Sequence, residues 1–202
     1  MNNKDYLKDI SEIKNLMNKS SRFISLSGLS GILAGVYALI GAAAAYYIVT
    51  NSYSTDLLLD DTIFKICVAI LAGVASLSII TGIYLTTRKA KKTGEKIWDI
   101  SSKRLLFNFL IPLLVGGLYI LIILNQARYG HTAALMLIFY GLALVSASKY
   151  SIGDIKYLGY TEIILGLICA LMPSFGFYFW VLGFGVMHII YGTIMHLKYD
   201  TK

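Results

Sequence analysis

Glu162, His188 and His196 have the most chemistry to offer in this sequence, because each is ionisable and each stands within a long apolar run. Such a group in hydrocarbon costs at least ~2.5 kcal/mol, so its presence points to a proton relay, a ligand or an interhelical tie. Asn108, Tyr140 and Tyr191 are the polar side chains of neighbouring runs that lie at depths where they can converge with them. One reading joins all six into a small polar cavity open to the cytoplasm, binding a proton or a small ligand. The other leaves Glu162 neutral or paired, tying helices together, with both histidines in interhelical hydrogen bonds.

Other chemistries find no matching pattern. A bis-histidine haem needs two imidazoles at one depth on facing helices, whereas His131, His188 and His196 fall at three different depths. Zinc needs three or four converging ligands, and neither HExxH nor a comparable spacing occurs. A GxSxG elbow and the P-loop lysine pattern are also missing. Cys67 and Cys169 each sit inside an apolar run without CxxC spacing and read as small buried residues. No cofactor, metal or catalytic residue is expected, and the chain reads as non-enzymatic.

Membrane helices must position these groups. The 202 residues are 57% hydrophobic and 14% charged, far from a soluble domain, which is about a quarter charged. Apolar residues come in runs of roughly twenty, enough to carry a helix across ~30 Å of hydrocarbon, and they lack the period-two alternation of a barrel strand. The expected fold is an all-α membrane protein with a bundle of about six transmembrane helices at 23–50, 62–87, 105–124, 131–148, 157–173 and 176–197. Residues 1–22 place Tyr6, Ile10, Ile13 and Met17 on one stripe, which predicts an N-terminal amphipathic helix lying on the membrane surface. Residues 198–202 form a short tail.

Charge placement gives a direction. The leading segment, the second and fourth loops and the tail together carry sixteen Lys and Arg, against Arg128 alone in the first, third and fifth loops. Cationic loops stay in the cytoplasm, so both termini are expected there. The basic loop from Arg88 to Arg104, which includes Trp98, is expected to attract anionic lipid at about 1 kcal/mol per cation near the surface. It lacks a recognition fold, so no nucleic-acid partner is expected.

Small residues mark where helices meet closely. Ser27, Gly31, Gly35 and Ala38 share one face of the first span, Glu162 and Gly166 one face of the fifth, and Gly185, His188, Gly192 and His196 one face of the sixth. Lipid gives helices no reason to hide Leu from Leu, so such stripes are where backbones approach. The stripe on the first span serves either the bundle or a second protomer. On the expected spans Glu162 and His188 both lie a few ångströms to the cytoplasmic side of mid-span, which permits their contact.

The segments YGLALVSASKY at 140–150, YLGYTEIILGL at 157–167 and WVLGFGVMHIIYG at 180–192, together with SLSGLSGILAGVYALIGA at 25–42, resemble a family of small uncharacterised bacterial polytopic inner-membrane proteins. The likeness covers most of the chain. It implies the bacterial cytoplasmic (inner) membrane and a regulatory role, and brings no activity with it. Two functions are therefore expected: action by association as a regulatory or sensory membrane component, with a homo-oligomer or another protein as partner, or a small-molecule or proton-linked transporter built around Glu162 and His188.

Overall fold

A bilayer core offers the backbone no hydrogen-bond partner, so each crossing segment must satisfy its own N–H and C=O groups, and continuous apolar runs do so as helices. The computed structural model describes residues 26–51, 61–94, 97–151 and 154–201, and these are helical with no strand among them. The expected surface helix at 1–22 lies outside the described residues. Helix α1 is Gly28–Asn51, α2 Asp61–Thr93, α3 Ile100–Asn125, α4 Thr132–Ala147 and α5 Ile155–Leu171. The last stretch starts as a 3-10 turn at Pro173–Phe175. It continues as α6 (Gly176–Trp180), a π-helix (Val181–Met187) and α7 (His188–Tyr199).

Five stretches are long and apolar enough to cross a membrane: Gly28–Asn51, Thr62–Thr93, Ile100–Asn125, Thr132–Tyr150 and Pro173–Tyr199. Helix α5 has 17 residues and so spans ~26 Å, a little less than the hydrocarbon thickness. Several ends differ from the sequence expectation for local reasons. Helix α2 runs on through Arg88 and Lys92 to Thr93 because nothing in that polar extension breaks a helix. Helix α3 begins at a capping box, with Asp99 accepting from the Ser102 N–H at 2.7 Å and the Ser102 hydroxyl accepting from the Asp99 N–H at 2.9 Å. It continues unbroken past Pro112.

Two glycine seams hold the bundle together. Along the first, α1 meets the π-helix and α7. A Cβ on Gly35 would stand 2.6 Å from the Gly185 carbonyl, one on Gly31 3.2 Å from the Gly192 Cα, and one on Gly192 2.5 Å from the Ile32 nitrogen. Along the second, α4 meets α5, where a Cβ on Gly141 would stand 2.6 Å from the Gly159 carbonyl and one on Gly166 2.9 Å from that of Ala134. Glycine is needed at both because only backbone fits between backbones. Ala134, Leu137 and Cys169 pack into a fully buried cluster beside the second seam, with Phe179 and Phe184 against it. Cys169 and Cys67 are free thiols.

Helices α2 and α3 lie on the outside. Helix α2 packs on α1 and α3 on α4, and their outer surfaces present Ile79, Ile80, Ile83, Leu114, Leu118 and Leu121. A soluble protein does not expose apolar surface on this scale, whereas lipid covers it without cost.

The seams make a testable contrast. Gly159→Leu is expected to lower stability by about 1–3 kcal/mol or to prevent assembly, because the new side chain meets α4 backbone. Gly73→Leu, with nothing within 4 Å of its Cβ, is expected to leave the thermal midpoint in detergent unchanged. Equal midpoints for the two variants would contradict the packing described.

Candidate functional site

The residues with chemistry fall into one interior cluster and two clusters at one end of the bundle. In the interior, α5 supplies Glu162, α7 supplies His188 and α4 supplies Tyr140. Glu162 is 0% exposed and lies about 1.5 Å from the middle of α5. Its Oε1 is 3.5 Å from His188 Nδ1, and neither carboxyl oxygen has a hydrogen-bond partner among the described residues. At 3.5 Å the pair is in electrostatic contact without a well-formed hydrogen bond.

The hydrogen bonds of His188 define its ring. Nδ1 lies 3.0 Å from the Gly183 carbonyl, which only accepts, so Nδ1 carries a proton. Nε2 lies 2.8 Å from the Tyr140 hydroxyl. A neutral ring accepts there from Tyr140, and an imidazolium donates to it, so one geometry serves both charge states. Tyr140 and Phe184 stack against the imidazole, with centroids 5.3 and 5.8 Å away.

Gly183 makes this arrangement possible. A Cβ there would stand 2.5 Å from Glu162 Oε2 and 2.5 Å from a Leu137 methyl. The same residue lies in the π-helix that ends where α7 begins at His188. The wider turn of a π-helix releases backbone groups from the regular ladder, and such segments recur at functional sites. Both carboxyl oxygens are sealed from water-sized space.

At one end of the bundle Asp200 joins three helices. Its Oδ2 accepts from the Gly28 N–H at 2.9 Å, from His196 Nδ1 at 3.0 Å and, weakly, from the Ser27 hydroxyl at 3.5 Å. Its Oδ1 accepts from Lys89 Nζ at 2.6 Å, and that ammonium also donates to the Leu26 carbonyl at 3.0 Å. Asp200 thus caps α1 from the far end of the chain, where the helix dipole favours an anion. Burial pushes its carboxyl up, but the hydrogen bonds from Lys89 and His196 outweigh this and hold it below the ordinary carboxylate value. At the same end Asp154 Oδ2 accepts from Lys198 Nζ at 2.5 Å and from the Tyr199 hydroxyl at 2.8 Å.

The six expected site residues therefore divide. Tyr140, Glu162 and His188 come together. His196 belongs to the Asp200 cluster, and Asn108 bonds the Arg104 carbonyl of its own helix at 2.8 Å and the Ser146 hydroxyl at 3.4 Å. The Tyr191 hydroxyl is buried with no hydrogen-bond partner among the described residues. Ser27, Gly31, Gly35, Ala38, Gly185 and Gly192 lie on or beside the α1–α7 seam, and Gly166 on the α4–α5 seam. Sequence reasoning missed Asp200, Asp154 and Gly183. For Asp200 a signal existed, since it stands one helical turn beyond His196 just past the last apolar residue.

Comparison with protein-family models, with curated proteins and with solved structures finds no match.

The Asp200 cluster has a definite pH signature. A carboxyl whose folded-state pKa is depressed stabilises the fold at pH above its ordinary value, and that contribution is lost as pH falls through and below this range. Asp200→Asn is expected to cost about 1–3 kcal/mol at neutral pH and to flatten the loss of stability below about pH 4. Thermal melting in detergent between pH 3 and 8 measures both, and parallel curves for wild type and variant would refute the assignment.

Proposed function

We propose that this is a proton-linked small-molecule transporter of the bacterial cytoplasmic membrane, with Glu162 as the group that carries the proton. The observation that carries this reading is a mid-depth carboxyl, wholly buried and lacking a hydrogen-bond donor among the described residues, set 3.5 Å from the imidazole of His188. A helix-tying carboxyl would be expected to accept bonds on both oxygens. Glu162 accepts none from the described residues, while its neighbour is arranged to work in either charge state. The described conformation is the occluded one, and a solute passes only when the surrounding helices part.

In this proposal the chain crosses six times, α5 included, with both termini in the cytoplasm. Three ties support one common end for alternate helix termini: Lys89 to Asp200, Asp200 to Gly28, and Asp154 to Lys198. That end also carries Lys91, Lys92, Lys103, Arg104, Lys149 and Lys156, the pattern of a cytoplasmic face. Lys103 lies 5.9 Å from the exposed Trp98 ring and Lys156 5.1 Å from Tyr157, pairings that suit the headgroup region of anionic lipid.

A second reading, association as a regulatory component, is favoured by α2. Among the described residues its 33 residues pack chiefly on α1, and Gly73 and Gly82 face open space. Open small residues on a lipid-facing helix suit close approach by another membrane helix, of a second copy or of a different protein.

In proteoliposomes, Glu162→Gln is expected to abolish pH-gradient-driven uptake, tested with a panel of radiolabelled small solutes, while leaving the thermal midpoint within a few degrees. Uptake that is unchanged in the variant would rule the proton role out. For topology, a reporter fused at residue 56 is expected to be active only outside the cytoplasm, and cytoplasmic activity would reverse the orientation.

A further inference from the structure

We propose that the π-helix Val181–Met187 is the gate of the last span, held in its wide form by the His188 side chain and released when the Nδ1 proton passes to Glu162. This rests on the reading of Glu162 as the proton-carrying group and gives that group a moving part. π-helices are rare and recur at functional sites, and this one is supported from outside its own ladder. His188 follows it directly and supplies two donors to it. The backbone N–H bonds the Gly185 carbonyl, and the ring Nδ1–H bonds the Gly183 carbonyl at 3.0 Å.

Gly183 is where proton and helix meet. Its carbonyl holds Nδ1, the same Nδ1 lies 3.5 Å from Glu162 Oε1, and a Cβ on Gly183 would stand 2.5 Å from Glu162 Oε2. Shortening the gap between Nδ1 and Oε1 by a few tenths of an ångström brings them into hydrogen-bond range. From an imidazolium beside a carboxylate, the Nδ1–H bond then breaks and an O–H bond forms on Glu162. The ring keeps its Nε2 proton, donated to the Tyr140 hydroxyl 2.8 Å away, so both charges vanish and no co-reactant is required. Nδ1 is left with a lone pair facing a carbonyl oxygen, and two acceptors at that distance repel. The Gly183 carbonyl turns away, and the segment returns to regular α pairing.

The packing on either side decides which part moves. Converting π to α pairing shifts one flank by about one residue, ~1.5 Å along the axis and roughly 100° around it. Helix α7 is tied through His196 to Asp200 and through Lys198 to Asp154, and its Gly192 lies against α1 backbone. Helix α6 has five residues and meets α1 through the Tyr46 and Phe177 rings, a contact that slides at little cost, so α6 takes up the motion. Trp180 Nε1, just before the π-helix, is buried without a hydrogen-bond partner among the described residues, which leaves this segment a polar group for a second packing to satisfy. Around the imidazole, α5 presents Glu162 and α4 presents Tyr140, while α1 meets the π-helix through the uncharged Gly35 and Leu39. On α7 itself Tyr191 stands within one turn, and Lys198 and Tyr199 are bonded to Asp154.

The test uses the full chain in lipid nanodiscs, with spin labels at Tyr47→Cys on α1 and Tyr178→Cys on α6, both well exposed. Cys67→Ala removes the accessible native thiol, and Cys169 is fully buried. Label-to-label distances are followed across the pH range together with the carboxyl C=O infrared band of Glu162, assigned by its loss in Glu162→Gln. The chain with native Glu162 and His188 is expected to show two distances about 5 Å or more apart, the second growing at least about fivefold relative to the first as the band appears. Glu162→Gln forms no acid, and His188→Gln keeps an N–H for Gly183 without a proton to pass on, so both are expected to hold the first distance at every pH. His188→Leu removes the donor and is expected to favour the second distance at every pH, and the two Gln variants decide the matter if it assembles poorly. A single distance while the band appears, or an unchanged transition in His188→Gln, would overturn the gate and leave Glu162 as the proton group. The absence of any Glu162-dependent band at accessible pH would overturn the gate and the proposed function together.

Discussion

A carboxyl group buried between helices has to be solvated by protein, and around Glu162 the described residues offer the near edge of one imidazole and no hydrogen-bond donor. An isolated carboxylate in such surroundings is very costly, so Glu162 is tolerated either as a neutral acid or as the partner of a His188 imidazolium. These two states carry the same net charge and differ by the position of one proton. The surrounding geometry is compatible with both. Gly183 leaves the space that Oε2 occupies, its carbonyl holds Nδ1, and Tyr140 meets Nε2 with a group that both donates and accepts.

The same demand explains the bundle's asymmetry. His188 reaches Glu162 and Tyr140 because the stretch Gly176–Tyr199 lies against α1 through its π-helix and α7, and against α4 and α5 through α6 and the π-helix. In lipid this closeness comes from small residues and dispersion contacts, since apolar burial gives helices little reason to associate. Helices α2 and α3 add no group to the interior cluster. They sit outside, each against one inner helix, and present Ile and Leu to the surroundings. Helix α2 nevertheless returns one functional contact, since its polar end delivers Lys89 to Asp200.

Much of this architecture was legible in the residues. Runs of apolar sequence specify helices because lipid permits little else, and the glycine stripes of the first and last spans mark a close crossing through backbone geometry alone. Glu162 and His188 stand out because ionisable residues are rare in such runs. What escaped was whatever depended on which face meets which. Asn108 and His196 are as conspicuous as Glu162 in the sequence, yet a rotation about the helix axis sends one to Ser146 and the other to Asp200. The π-helix at Val181–Met187 has no pattern that hydropathy would reveal, and Asp200 gains its role from an α1 terminus 172 residues away in sequence.

The two ends of the bundle differ in a way that bears on how the interior could open. At the lysine-rich end, Asp200 and Asp154 tie α1, α2, α5 and α7 through charge-assisted bonds. The other end carries ring contacts, Tyr46 stacked on Phe177 at 5.9 Å and Phe64 edge-on to Tyr129 at 5.6 Å. Ring contacts tolerate sliding and tilting at little cost, whereas separating a charge pair leaves each partner to find another. Helix α7 is thus held at its ionic end and bordered on its other side by a π-helical turn, whose spare backbone groups can return to regular α pairing. Motion that remodels this turn would move Gly183 against Glu162 first, because that glycine touches the carboxyl and holds the imidazole at once.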